Sequence, residues 1–257
     1  MNTQIGFEKC VSYLNSQLLA DNPPNLIADH TVRFAITISR QSGSGAHVVA
    51  EKLAEYMQLH GPHSQLPWAV FDRNLVEQVL EDHHLPSYLH RVMPEDRVSD
   101  LTDMLHQMFG LHPPFWTLVH QTVETMLRLA QQGSVILIGR GANLATRHLP
   151  QSLHVRLVAP LEKRITHTQE RNGLGRKAAL ERIQREDLGR QRYLKKYFGK
   201  DPEDPLLYDL ILNTDAVSYD EAATLIGTAA LRKIKEDCHH AAPRFGEAFP
   251  AYALLAE

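Results

Sequence analysis

The sequence is short of several things, and each shortage excludes something. Only two of its 257 residues are cysteine, Cys10 and Cys238, near opposite ends. Neither belongs to a C-x-x-C pair, so no disulfide framework or cysteine metal site is expected, and a reducing, cytosolic compartment fits. No apolar run approaches the ~20 residues needed to span a bilayer. The stretch MNTQIGFEKCVSYLNSQLL lacks a basic region followed by an apolar one, so a signal peptide is not expected. Neither sign of charge dominates: 27 basic residues against 30 acidic leave −3 with histidine neutral. Bulk charge therefore gives no pointer to nucleic acid or to an anionic membrane. Histidine is plentiful, at 15, but no pair has metal spacing. His83-His84 and His239-His240 are adjacent in sequence, so their rings diverge, and a surface position suits them. Internal repeats and low-complexity tracts are missing too.

What is there is 43% hydrophobic residues in a chain long enough to bury one large core. Phe7, Val11, Leu14 and Leu18 recur at helical spacing, which predicts an amphipathic N-terminal helix, and the Pro pair in DNPPNLIADH (21–30) ends it. Strand and helix signals then alternate. FAITIS (34–39), WAVF (68–71), SVILIG (134–139), LHVRLVA (153–159) and LLYDLILNT (206–214) read as strands. Residues 45–59, 73–83, 160–173 and 218–237 read as helices, with broken helical pieces over 87–132 and a basic helical stretch to about 198. Ser218 followed three residues later by Glu221 is a capping-box start. Such alternation predicts a parallel sheet covered on both faces, with ligands at the carboxyl ends of the strands. The strand order is not predicted.

The loop SRQSGSGA (39–46) lies between the first strand and its helix, where a phosphate loop belongs. Gly43 and Gly45 let backbone N–H groups turn inward, and the helix beginning near Gly45 adds its positive end. Those two features suffice to hold a phosphate, although a plain Gly-rich turn reads the same way. The common pattern is GxxxxGK[ST], with Lys on the outer phosphates and the hydroxyl on Mg²⁺. Here the Lys position holds Ala46 and the first-glycine position holds Arg40. Arg40 is the candidate for the lost charge. Asp72, in FDRN, is the nearest carboxylate, with a helix N-cap as its other reading. Gly139-Arg140-Gly141 ends a buried strand, which would aim Arg140 into the crevice. RNGLGRKAALERIQREDLGRQRYLKKYFG (171–199) is locally basic in a slightly acidic chain. Two helices joined at NGLG (172–175) would make a hinged lid carrying Arg185, Arg190 and Arg192, with Asp187 orienting Arg190 from three residues away.

The ordered set ITISRQSGSG, FDRNLVEQV, VILIGRGANL, LVAPLEKRI and REDLGRQRYLKKYFG with LYDLILNT resembles the cytidylate kinase-like family of P-loop nucleoside monophosphate kinases, over roughly residues 34–230. The resemblance implies a three-layer α/β/α P-loop kinase-like fold with a central parallel sheet, a helical insert (about 85–132) and an Arg-rich helical lid (about 171–199). That domain would span 33–237, after a helix and linker (1–32) and before a tail (238–257). The resemblance implies ATP as donor, Mg²⁺ as cofactor, and CMP, dCMP or a related small acceptor. Arg40, Gln41, Ser42, Gly43, Ser44, Gly45, Ala46 and His47 would cradle the donor, with Asn213 and Thr214 near its adenine. Arg140, Asp72 and Asp187 would meet the acceptor. Arg40, Asp72, Arg185, Arg190 and Arg192 would carry the catalysis. Cytidylate kinases proper keep the loop Lys and an Asp before Gly-Arg, where this chain has Ala46 and Ile138.

Three readings stay open: an active phosphotransferase, a nucleotide-binding regulator without turnover, and an interaction protein on the same scaffold. The first two expect small nucleotides as partners, and none is read as binding nucleic acid or membrane. The third would use the N-terminal helix, the insert with MFGLHPPFW (108–116) and the tail. Self-association is open in all three.

Overall fold

The computed structural model describes residues 33–61, 67–72 and 114–240. Five strands, β1 (Ala35–Arg40), β2 (Ala69–Phe71), β3 (Val135–Ile138), β4 (Ser152–Val158) and β5 (Leu210–Asn213), form one sheet in the order β2-β3-β1-β4-β5. Every pairing is parallel. The helices are α1 (Ala46–His60), α2 (Pro114–Gln132), α3 (Ala142–Ala145), α4 (Leu161–Asn172), α5 (Arg176–Phe198) and α6 (Tyr219–His240). None of them is long and apolar enough to cross a membrane. The expected N-terminal helix, the helix over 73–83, most of the insert and the tail lie outside the described residues.

Strand periodicity explains the layers. Ile36 and Ile38 of β1, with Leu153, Val155 and Leu157 of β4, face Val49, Leu53 and Met57 of α1 and Ala222, Ile226 and Ala230 of α6. Ala35, Ala69, Phe71, Val135 and Leu137 face the other way, onto Met126, Leu129 and Ala130 of α2. The result is the expected α/β/α sandwich. Chain order reverses around β1, from β3 on one side to β4 on the other, and ligands bind at that kind of switch point.

Local signals behave as their chemistry dictates. The Ser218 N–H donates to Glu221 at 2.8 Å while the Glu221 N–H donates to the Ser218 hydroxyl at 3.2 Å, so the capping box forms. The expected strand over 206–214 is shorter than its apolar letters suggest. Asp204 accepts from the Leu206 N–H at 2.9 Å and Pro205 has no N–H to give, so a 3₁₀ turn fills 205–207 and pairing begins at Leu210.

One face of β4 is polar where it meets β1. Ser152, His154 and Arg156 alternate along it, all buried. His154 lies in register with Thr37, whose hydroxyl is 2.9 Å from Nδ1. Ser152 Oγ lies 3.3 Å from Nε2 and donates its own proton to the Leu149 carbonyl at 2.6 Å. The ring is therefore the neutral tautomer, with Nε2–H donating to Ser152 and Thr37 donating to Nδ1. Burial pushes the His154 pKa down to about 4, Asp209 pulls it up, and Lys233 and Arg147 lower it further.

The sign of the consequence is fixed. The unfolded chain takes a proton on this ring near pH ~6.5 and the folded chain does not until about 4, so acidification favours unfolding across that window. Urea titrations from pH 7 to pH 4 should lose stability on the order of 3 kcal/mol on this account. The slope should be visibly shallower in His154→Gln; an equal slope in both chains would show that other groups carry the effect.

Candidate functional site

The site is built where β1, β3 and β4 end. β1 hands over to Gln41–Gly45, and α1 begins at Ala46 with Gly45 as its N-cap. No side chain caps that helix end, so its first amides stay available for an anion. The loop is braced from within. Gln41 carbonyl oxygen accepts from the Ser44 N–H at 3.2 Å and from the Ser44 hydroxyl at 2.8 Å. Gln41 Oε1 accepts from the Ala159 N–H at 3.2 Å, and Thr214 donates to the Ser44 carbonyl at 3.0 Å. Thr214 thus holds the loop from behind, while its neighbour Asn213 is exposed at the end of β5.

Gly43 needs to be glycine for two reasons. Its φ is +82°, and a Cβ there would stand 2.6 Å from the Arg164 carbonyl and 2.8 Å from Thr168 Oγ1. α4 lies directly over the loop. His167 Nδ1 donates to the Gly43 carbonyl at 3.0 Å, and Arg164 donates to the Ser42 carbonyl at 3.3 Å.

A pocket opens beside the loop. Arg40 at the end of β1, Arg140 after β3, Arg156 in β4 and Arg190 in α5 all line it, together with Asn143 and Asp187. The Arg40 guanidinium lies against Gly139, where a Cβ would collide with it. Gly139, Arg140 and Gly141 are all left-handed, with φ of +76°, +55° and +73°. Arg140 is 8% exposed. The Arg156 guanidinium is buried, donates to Ser39 and to Tyr208 Oη at 3.3 Å each, pairs with Glu203, and stacks over the Tyr208 ring. The buried Asn143 Nδ2 finds no hydrogen-bond partner among the described residues, which leaves a donor for a bound group. Four guanidiniums against the carboxylates of Asp187 and Glu203 make a pocket for an anion rich in oxygen.

The acidic residues of α5 reach into the loop itself. Asp187 accepts from the Ser42 N–H at 2.7 Å, and Glu186 accepts from the Ser42 hydroxyl. Three arginines hold these carboxylates: Arg164 and Arg190 on Asp187 at 2.6 and 2.8 Å, and Arg182 and Arg190 on Glu186 at 2.8 and 3.2 Å. Burial pushes the Glu186 carboxyl up, but the Ser42 hydrogen bond and the arginines outweigh it and hold the group below the usual carboxylate range.

His47 follows Ala46 directly and stands where phosphate loops carry their hydroxyl. Its Nε2 lies 3.1 Å from Asp72 Oδ2, at the end of β2. Burial lowers the His47 pKa, Asp72 opposes that, and Arg171 and Arg40 lower it further, so the neutral ring donates to Asp72. Among the described residues no three His, Cys, Asp or Glu side chains come together to hold a metal.

The residues expected from sequence divide cleanly. Arg40, Gln41, Arg140, Asp187 and Arg190 come together around the pocket. Asp72 pairs with His47 instead. Arg185 and Arg192 stand exposed on the opposite side of α5 and do not line the pocket. The reason is helical period: the inward positions are Ile183, Glu186, Asp187, Arg190, Tyr193, Leu194 and Tyr197, so Arg185 and Arg192 point outward. Sequence reasoning passed over Arg156, Arg164, Glu186 and Asn143. Arg156 had a signal, a charge inside the apolar run LHVRLVA, and Glu186 stood beside the Asp187 that was singled out. Arg164 and Asn143 carried none.

Comparison with known proteins agrees with this geometry. The cytidylate kinase-like family matches residues 35–216. A cytidylate kinase from Methanopyrus kandleri is 28% identical over 208 residues, covering 77% of this chain and 94% of that one. A cytidylate kinase from Pyrococcus horikoshii is 25% identical over 198 residues, covering 77% and 88%. Among solved structures, an uncharacterized protein from Eubacterium ventriosum shares the fold with a TM-score of 0.56 at 19% identity, over 77% of this chain and 98% of that one. A glycine loop between β1 and α1, arginines gathered at a switch point and a match over most of the chain lead to one statement: this chain belongs to the cytidylate kinase-like family.

Proposed function

We propose that this protein is a phosphotransferase that moves the γ-phosphoryl of ATP to a nucleoside monophosphate, with CMP and dCMP the first acceptors to test, or to a related small anionic acceptor. The observation that carries the reading is the convergence of Arg40, Arg140, Arg156 and Arg190 beside the Gln41–Gly45 loop. Phosphoryl transfer asks little covalent chemistry of a protein; it asks for two anions held in line and for charge stabilisation as the bond changes hands. The loop amides and the α1 end would hold the donor, and the arginine pocket would hold the acceptor. Arg40 lies between the two and takes the place of the loop lysine.

Mg²⁺ would enter with the donor phosphates, since it binds through one or two carboxylates plus phosphate oxygens. The residues present fit that limited role: the Asp72 carboxylate, beside the loop through His47, offers an oxygen. Bound there, the ion would neutralise phosphate charge. His47 would orient Asp72 through Nε2–H, as an outer partner of a ligating carboxylate does.

A second reading, nucleotide binding without turnover, draws on Ala46 in the lysine position and on the hold of Asp187 on the Ser42 amide. Turnover separates the two. ADP release should be measured with ATP and Mg²⁺ against CMP, dCMP, UMP, AMP and no acceptor. Acceptor-dependent release supports the kinase; ATP binding with no release from any acceptor supports the second reading.

If the kinase reading holds, Arg40→Ala and Arg140→Ala should each lower kcat/KM by about 10²-fold or more, the usual cost of one strong transition-state contact. Arg192→Ala, on the outer face of α5, should change it by less than about threefold on the same scale. Equal losses in all three would return Arg192 to the reacting centre.

A further inference from the structure

The phosphate loop carries an anion of the protein's own. Asp187 sits on the Ser42 N–H at 2.7 Å and Glu186 on the Ser42 hydroxyl. Both carboxylates come from α5, 144 and 145 residues further along the chain. Glycine loops bind phosphate because their amides point inward toward negative oxygen, and a carboxylate satisfies an amide in the same way. The arginine shell completes the likeness. Arg164, Arg182 and Arg190 surround the two carboxylates as guanidiniums surround a phosphoryl group, with Arg164 and Arg190 nearly buried.

We propose that the Glu186–Asp187 pair, Asp187 on the Ser42 amide and Glu186 on its hydroxyl, is an internal stand-in for the donor phosphate and sets donor affinity: phosphate enters the loop by displacing both carboxylates. The proposal rests on the reading that the loop binds the donor. Displacement has two effects. It removes two negative charges from the path of an incoming polyphosphate, and it frees the three arginines that those charges had held, so the same cations can close on the ligand. Arg190 already lines the acceptor pocket, so an anion bound there competes with Glu186 and Asp187 for it. Donor and acceptor should then each favour the other, by the reciprocity that binding linkage requires.

The test is binding rather than turnover. Dissociation constants for ATP with Mg²⁺ and for pyrophosphate would be measured by calorimetry on the full chain, on Glu186→Gln, on Ser42→Ala and on Glu181→Gln. Glu186→Gln should bind both probes about tenfold more tightly. Ser42→Ala leaves net charge untouched and removes only the hydroxyl that anchors Glu186. It should tighten binding severalfold, whereas a hydroxyl that served the phosphate directly would weaken it on removal. Glu181→Gln removes one charge from an exposed position on the same helix and should change nothing beyond about twofold. Thermal unfolding run alongside identifies a variant that has failed to fold, and Ser42→Ala then decides the matter. Affinity unchanged or weakened in both Glu186→Gln and Ser42→Ala overturns the proposal and leaves the loop reading intact. Tightening in Glu181→Gln equal to that in Glu186→Gln overturns it as well, since general charge would then explain the gain. If no chain binds ATP or pyrophosphate, the loop reading itself falls.

Discussion

The parallel pairing of β1 with β3 on one side and β4 on the other determines nearly everything else. Parallel strands end at the same edge, so the register that sets Ile38 beside Ile138 and Arg40 beside Leu157 also brings three loops to one place. The glycine loop, the Gly139–Gly141 turn and the buried end of β4 meet there because the sheet leaves them no other place. Apolar side chains on both faces fix that register, since a one-residue slip would turn the Ile36 and Ile38 face away from α1. The arginines are thus positioned by packing that lies below them, in the core.

Because that edge concentrates positive charge, the protein balances it with carboxylates of its own. It does so twice. Glu203 sits on Arg156, and Glu186 and Asp187 sit among Arg164, Arg182 and Arg190. Each balancing carboxylate comes from the region after β4, while Arg40 and Arg140 come from the strands before it. Every one of these pairs is closed within β4 and the chain that follows it, and removing one partner of a buried pair would leave charge there without compensation.

Much of this was legible in the sequence. Alternating strand and helix signals gave the layers, the Ser218 capping box formed as its letters require, and the glycine loop fell between β1 and α1. Those features depend on neighbours in sequence, where period and turn chemistry act directly. What stayed hidden depends on partners far along the chain. Arg190, not Arg192, shares a helix face with Tyr193, Leu194 and Tyr197, and the docking of those three beside Val119 and Leu144 is what turns that face inward. The buried polar face of β4 was hidden for the same reason. Ser152, His154 and Arg156 are buried because partners distant in sequence satisfy them, among them Thr37 and Ser39 on β1 and Tyr208 and Glu203 beyond α5.

Arg140 sits in a left-handed backbone between two left-handed glycines. For an L-residue with a side chain that conformation costs on the order of 1–2 kcal/mol, and glycine would occupy it freely. A glycine there would relieve that backbone cost, at the loss of the guanidinium. Keeping an arginine there costs backbone stability in exchange for the aim of one guanidinium, so the turn records a compromise between endurance and work. Selecting variants for heat resistance alone would therefore put this residue, and with it part of the pocket, under a pressure that selection for activity opposes.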